Sequence, residues 1–120
     1  MLLEQALKKI ENAINDRHLC NIVGNCHVEY WGRAASKLSR GKRLLMIKGD
    51  SSFAIHQNRL LRPTNYMMNA AISCAIEENT LVITAKKTKP RETIKTVFFD
   101  IDDVQCYEMQ ENTDISLFGS

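Results

Sequence analysis

A mainly β fold, a small half-open barrel or β-sandwich of about seven strands with one N-terminal amphipathic helix, is what this sequence predicts. Three observations lead there. From residue 19 onward apolar residues recur at every second position in short runs, the spacing that turns one side of a strand toward a core. Turn sequences separate these runs at close intervals, as in small sandwiches and partly open barrels. Only residues 2–15 carry the helical period.

In that helical stretch Leu3, Leu7, Ile10 and Ile14 form one apolar stripe, with Leu2, Ala6 and Ala13 beside it and Glu4, Lys8, Glu11 and Asn12 on the remaining surface. Asn15-Asp16-Arg17 ends the pattern. A helix so patterned must bury its stripe, either on the domain's own sheet or on a partner subunit. In the first strand Ile22, Cys26, Val28 and Tyr30 share one side, opposite Asn21, Asn25, His27 and Glu29. Gly24 inside it marks a bulge or bend. Trp31-Gly32 closes the strand, with Trp31 read as a core residue.

Residues 35–43 read as a polar, basic connection centred on Gly41. Leu44 to Ile47 and Phe53 to Gln57 form a hairpin across Lys48-Gly49-Asp50-Ser51-Ser52. Residues 58–65 read as a loop. The second half is a meander of Ala71 to Glu77, Leu81 to Lys86, Thr93 to Phe99 and Val104 to Met109, the last two divided by Asp100-Ile101-Asp102-Asp103.

At 120 residues and 13.7 kDa there is room for one modest core. The expected organisation is a helix over 1–17, a β-rich domain over 18–110 and a tail or linker over 111–120. No apolar run approaches the ~20 residues of a membrane helix, and Met1-Leu2-Leu3-Glu4-Gln5 lacks the basic n-region of a signal peptide. The expectation is a cytoplasmic protein with no membrane partner. Cys20, Cys26, Cys74 and Cys106 lack the two-residue separation that presents paired thiolates to zinc. With His18 and His27 nearby a metal site is conceivable, but the strand-like alternation favours buried, reduced thiols.

Charge is distributed unevenly. Between Trp31 and Tyr66 there are eight Lys and Arg (Arg33, Lys37, Arg40, Lys42, Arg43, Lys48, Arg59, Arg62) against the single acid Asp50, so this stretch carries +7 and the remainder −5 of a net +2. Such a segment suits a polyanion, because each cation that meets a phosphate releases condensed counterions. Its alternative reading is a set of solvated loops and strand edges. Carboxylates that would hold a metal against a phosphate are not evident: Glu92 and Lys95 are one residue too far apart to share a strand face as Glu-x-Lys does. Gly41-Lys42 lacks the rest of a phosphate loop. The chemistry therefore points to binding. Arg33, Arg62 and Tyr66 could grip and stack on a nucleic acid if their loops meet, with Asn65 reading a base edge; Tyr66 could equally be a core aromatic. His56 is read as structural.

The run Cys26-His27-Val28-Glu29-Tyr30-Trp31-Gly32-Arg33-Ala34, then Ser36-Lys37-Leu38, Gly41, Arg43-Leu44, Ile47-Lys48, Asp50, Ser52, Ile55-His56 and Pro63-Thr64-Asn65-Tyr66, resembles the N-terminal domain of the NucS/EndoMS endonucleases. The resemblance implies a half-open barrel or sandwich that dimerises with itself and binds mismatched, flapped or single-stranded DNA, holding an extruded base against an aromatic. Carried over, the DNA-binding residues are Arg33, Lys37, Arg43, Arg62, Asn65 and Tyr66, with Tyr66 where the family usually has Trp. Ser51 stands where the family often has Gly. Leu117-Phe118-Gly119-Ser120 is similar to the start of the linker before the family's nuclease domain. That domain, with its Mg or Mn, lies outside these residues, so no catalytic residue, metal site or cofactor is expected here. A homo-oligomeric interaction module without DNA binding is the competing expectation.

Overall fold

The structure is a computed structural model, described over residues 1–110; the tail assigned to 111–120 lies outside the described residues. A helix, α1 (Leu3–Asp16), precedes β1 (Leu19–Trp31), β2 (Ala35–Ile47), β3 (Phe53–His56), β4 (Asn65–Met67), β5 (Ala71–Glu77), β6 (Thr80–Thr88) and β7 (Arg91–Tyr107). The strands form one antiparallel sheet in the order β4-β3-β2-β1-β7-β6-β5. Two meanders, β1 to β4 and β5 to β7, are thus joined where β7 returns to pair with β1. With a single sheet the architecture is the half-open barrel, and the sandwich alternative falls away.

Curvature comes from the middle of the sheet. β7 pairs with β1 along the whole of β1 but slips register between Val23 and Gly24 and again between Asn25 and Cys26. Gly24 permits this. A Cβ built there would stand 2.4 Å from the Asp100 carbonyl oxygen, a distance no side chain tolerates, and a tight 3.0 Å from Phe98 Cδ1. The bend sequence reading assigned to Gly24 is therefore present, as a close approach of two backbones.

The concave face holds the core: Ile22, Cys26 and Val28 from β1, Leu45 and Ile47 from β2, Phe53 and Ile55 from β3, Leu81, Ile83 and Ala85 from β6, and Ile94, Phe98, Ile101 and Val104 from β7. α1 packs across it, contacting β7 and β5 above all, with Ala6, Ile10 and Ala13 fully buried and Leu3, Leu7 and Ile14 at the margin. Its target is the domain's own sheet. Lys9 Nζ donates to the Val104 carbonyl at 2.9 Å, tying the helix to β7. The helix ends at Arg17 in the left-handed region, where the Arg17 and His18 amides reach back to Ile14 and Ala13 carbonyls.

Four sequence readings need correction. Residues 35–43 are not a connection: they extend β2, paired with β1 from Gly24 to Trp31. β3 pairs only with Leu44–Ile47, so the outer half of β2 is an exposed edge. Its polar, basic sequence resembled a loop because an edge strand beyond the core needs no apolar face, and charge discourages edge-to-edge association. Thr93 to Phe99 and Val104 to Met109 are one strand, β7, because the acidic residues between them remain paired to β1 through the bulges. Trp31 is 45% exposed rather than core, lying past the last layer of core side chains. The count of seven survives because β4, read as loop, adds a short strand on the β3 edge.

Replacing Gly24 with Ala is expected to lower stability by about 1–3 kcal/mol, since the new methyl must displace the β7 backbone. Urea denaturation measures this, and an unchanged midpoint would show that the Gly24 contact does not hold the bend.

Candidate nucleic-acid interface

Alternation along β1 places Tyr30 on the concave side, beyond Val28 and opposite Ser36 and Ile94. The Tyr30 hydroxyl donates to Glu92 Oε2, and the other Glu92 oxygen accepts an ion pair from Lys87 Nζ at 2.9 Å. Lys87 and Glu92 face each other across the β6–β7 hairpin. The bond to Glu92 raises the Tyr30 pKa above 10, and the hydroxyl of Tyr30 followed by Lys87 lowers that of Glu92 below 4.5. The Arg33 charge, two residues beyond Trp31 in the exposed β1–β2 turn, acts on Tyr30 in the opposite direction.

The curl of the sheet brings β4 to face this group across a cleft of about 480 Å³, whose walls include Tyr30, Ser36, Asn65, Tyr66, Lys87 and Glu92. Asn65 shares the core-facing row with Ile55 and Leu45; Tyr66, one residue on, turns outward beside Ala54. Tyr66 is 70% exposed, so its ring is a surface ring and the core alternative is set aside. Asn65 Oδ1 is buried with no hydrogen-bond partner. Two other described atoms, Asn21 Oδ1 and Thr96 Oγ1, are in the same state, but only Asn65 lines the cleft. An unmet buried carbonyl costs roughly 1–3 kcal/mol, which a donor would recover once the Asn65 side chain turns its oxygen into the cleft.

The remaining candidates are scattered. Arg62 is exposed on the β3–β4 loop, and Lys37 is exposed on β2 opposite Glu29, on the convex side. Arg43 is half-buried, its Nη1 donating to the Cys26 carbonyl at 2.6 Å and its Nη2 to the Ser39 carbonyl at 2.7 Å. It braces the register slip between Cys26 and Val28. Other basic residues of the +7 stretch are also engaged: Lys42 with Asp102, Arg40 over the Phe99 ring at 3.5 Å, and Arg59 Nε with Gln57 Oε1 at 3.4 Å. Arg33, Lys37, Lys48 and Arg62 have no side-chain hydrogen bond or ion pair among the described residues. Sequence reading missed Tyr30, Lys87 and Glu92 as cleft residues. Tyr30's place at the end of an alternating strand, directly before Trp31-Gly32-Arg33, was the available signal.

The metal reading finds no support among the described residues, where no three His, Cys, Asp or Glu side chains gather. Cys26 and His27 are adjacent in a strand and so point to opposite faces; His27 packs edge-on against Phe99 at 5.3 Å outside, while Cys20 meets Cys106 inside at 3.4 Å. Burial pushes the Cys74 thiol up to about 12 and raises Cys20 and Cys26 as well. Nor is any described helix long and apolar enough to cross a membrane.

Fold and cleft together define a half-open antiparallel barrel of the PH-like class, closed by a single helix. Residues 16–114 match the Endonuclease NucS N-terminal PH-like domain, and the chain belongs to that family. It is 28% identical over 118 residues to Endonuclease NucS of Thermococcus kodakarensis, covering 98% of this chain and 46% of that protein. The EndoMS-dsDNA2 complex superposes with a TM-score of 0.89 at 29% identity, over 98% of this chain and 49% of the other. EndoMS in apo form gives 0.86 at 28% identity, over 92% and 48%. The chain thus spans about half the length of the relatives it matches.

The Tyr30–Glu92–Lys87 group has a pH signature. Because Glu92 is depressed, its contribution to stability is complete above about pH 4.5 and is lost as the pH falls through the lower folded value. Because Tyr30 is raised, its contribution is complete below pH 10 and is lost as the pH climbs through the higher folded value. In Glu92→Gln the Tyr30 phenol is expected to titrate closer to 10, read by ultraviolet absorbance. A Tyr30 titration indifferent to that change would remove the pairing.

Proposed function

We propose that this chain is the DNA-binding and dimerisation domain of a NucS-type endonuclease acting on mismatched, branched or single-stranded DNA in repair. The observation that carries the reading is Asn65 Oδ1, buried and unpaired in a cleft whose rim is the exposed Tyr66 ring. A flat heterocycle entering the cleft could stack on Tyr66 and donate an amino hydrogen to Asn65, and every base has a face to stack. A base can reach such a pocket only outside the helical stack, and extrusion costs least at a mismatch or in a single strand. Arg33 and Arg62 would hold the phosphates on either side.

Likeness to the EndoMS-dsDNA2 complex over nearly the whole chain supports DNA as the ligand. Cleavage, with its Mg or Mn, is assigned to a nuclease domain separate from these residues, so this domain alone binds without cutting. The working form is a homodimer in the cytoplasm. Sedimentation of the purified domain tests the first of these; a monomer at all concentrations would remove it.

Four cations of the basic stretch, Arg33, Lys37, Lys48 and Arg62, have no side-chain hydrogen bond or ion pair among the described residues and set the electrostatic scale. The slope of log affinity against log salt is expected to reach at most about −3 per protomer for a single strand and about −4 for a duplex, with Arg33→Ala reducing it by about one. Tyr66→Ala is expected to cost ~1–3 kcal/mol on mismatched or single-stranded DNA, roughly 5- to 150-fold in affinity. Fluorescence anisotropy with perfect, G·T-mismatched and flapped duplexes reads both. A well-folded sample that binds none of them at low salt would sink the DNA reading and leave self-association as the domain's role.

A further inference from the structure

One exposed feature is not used by the cleft. The loop between β3 and β4 carries Arg59-Leu60-Leu61-Arg62 at its tip, with Leu60 75% and Leu61 95% exposed. Leucines are ordinarily turned inward, and two adjacent ones in water are the largest departure from that rule in the described chain. Leu60 also has φ 66, a left-handed backbone that leucine seldom adopts. The stem is pinned below the tip, where the Thr64 amide donates to the Ile55 carbonyl at 2.8 Å and Thr64 Oγ1 to the same oxygen at 3.2 Å. A fixed stem therefore presents an apolar tip between two arginines.

We propose that Leu60 and Leu61 form a wedge that enters the DNA base stack next to the nucleotide captured in the cleft. The inference rests on the DNA-binding reading above and deepens it, by naming what fills the gap that an extruded base leaves. Apolar side chains, leucine among them, are inserted between base steps by proteins that unstack or kink a duplex. The flanking arginines match the two phosphates that border such a gap; among the described residues Arg62 has no side-chain hydrogen bond or ion pair, and Arg59 has only the 3.4 Å contact to Gln57. Charge complementarity thus selects a polyanion over a neutral protein groove as the occupant.

Reach agrees as well. Asn65 lies four positions after Leu61, so their Cα atoms lie within ~14 Å even with the chain fully extended. That distance is no more than about four nucleotide steps along one strand. A wedge and a receiving pocket can therefore serve the same lesion. Because wedging applies only to stacked DNA, it separates from the stacking on Tyr66, which a single strand also enjoys.

The experiment uses a duplex with 2-aminopurine at a mismatch, the matched duplex and an oligo-dT single strand, bound to wild type, to Leu60→Ser/Leu61→Ser and to Leu61→Met. Wild type is expected to raise 2-aminopurine fluorescence and prefer the mismatch; the double variant loses most of that preference, on the order of tenfold, while keeping its oligo-dT affinity. Leu61→Met, still an apolar wedge, retains the preference. The proposal is overturned if the double variant keeps the fluorescence rise and the preference, or loses oligo-dT binding equally. It is also overturned if the double variant falls from dimer to monomer in sedimentation, which would place the leucines between copies of the chain. Absence of DNA binding by wild type would instead remove the parent reading together with this one.

Discussion

The contact of Gly24 with the Asp100 carbonyl is the constraint on which the rest of the molecule depends. Two long strands, β1 and β7, can stay paired over thirteen residues of β1 only if the sheet stays flat or one strand absorbs extra residues. Here β7 absorbs them in bulges opposite Gly24, and the sheet curls. The curl produces a concave face deep enough for α1 to fill. It also carries the far edge, β4, round to face the β6–β7 hairpin. Without it Asn65 and Tyr66 would stand on one edge of the sheet with Lys87 and Glu92 many strands away.

The cleft so formed divides labour between charge and fixed hydrogen bonds. Its inner wall is held by a neutral phenol, a carboxylate and an ammonium that satisfy one another. Its outer wall carries the Asn65 amide oxygen, without a hydrogen-bond partner among the described residues, and the exposed Tyr66 ring. Rigid groups behind and unmet groups in front are the arrangement of a pre-organised receptor, in which little conformational entropy remains to be lost on binding. The same principle separates the basic residues. Arg43 bridges two carbonyls at a register slip, and Lys42 and Arg40 brace the convex side, so three of the eight cations in the basic stretch serve the fold.

Much of the fold was legible in the residues. The helix, the concave side of β1, the β2–β3 turn and the β5–β6 hairpin all follow from periodicity and turn chemistry, which are local. Ser51, with φ 68, adopts the left-handed turn that the family often meets with Gly, aided by the Ser52 amide bonding to Asp50 Oδ1. The outer half of β2 was not legible, because its ladder partner holds it in place and not its own apolar pattern. Trp31 misled for a related reason: aromatics signal burial on average, and only position past the core layers makes this one a surface residue.

By itself the sequence determined that this chain is β-rich with a covering helix, that its net positive charge is concentrated between Trp31 and Tyr66, and that its ordered motifs are those of the NucS N-terminal family. These are properties of composition, period and residue order, which need no third dimension. The tertiary structure alone decided which cations are spent on the protein and which remain available, and that Tyr30 and Glu92 share a cleft with Asn65 and Tyr66. The reason is distance along the chain: those pairs are separated by tens of residues, and only the bulged pairing of β1 with β7 determines that they meet.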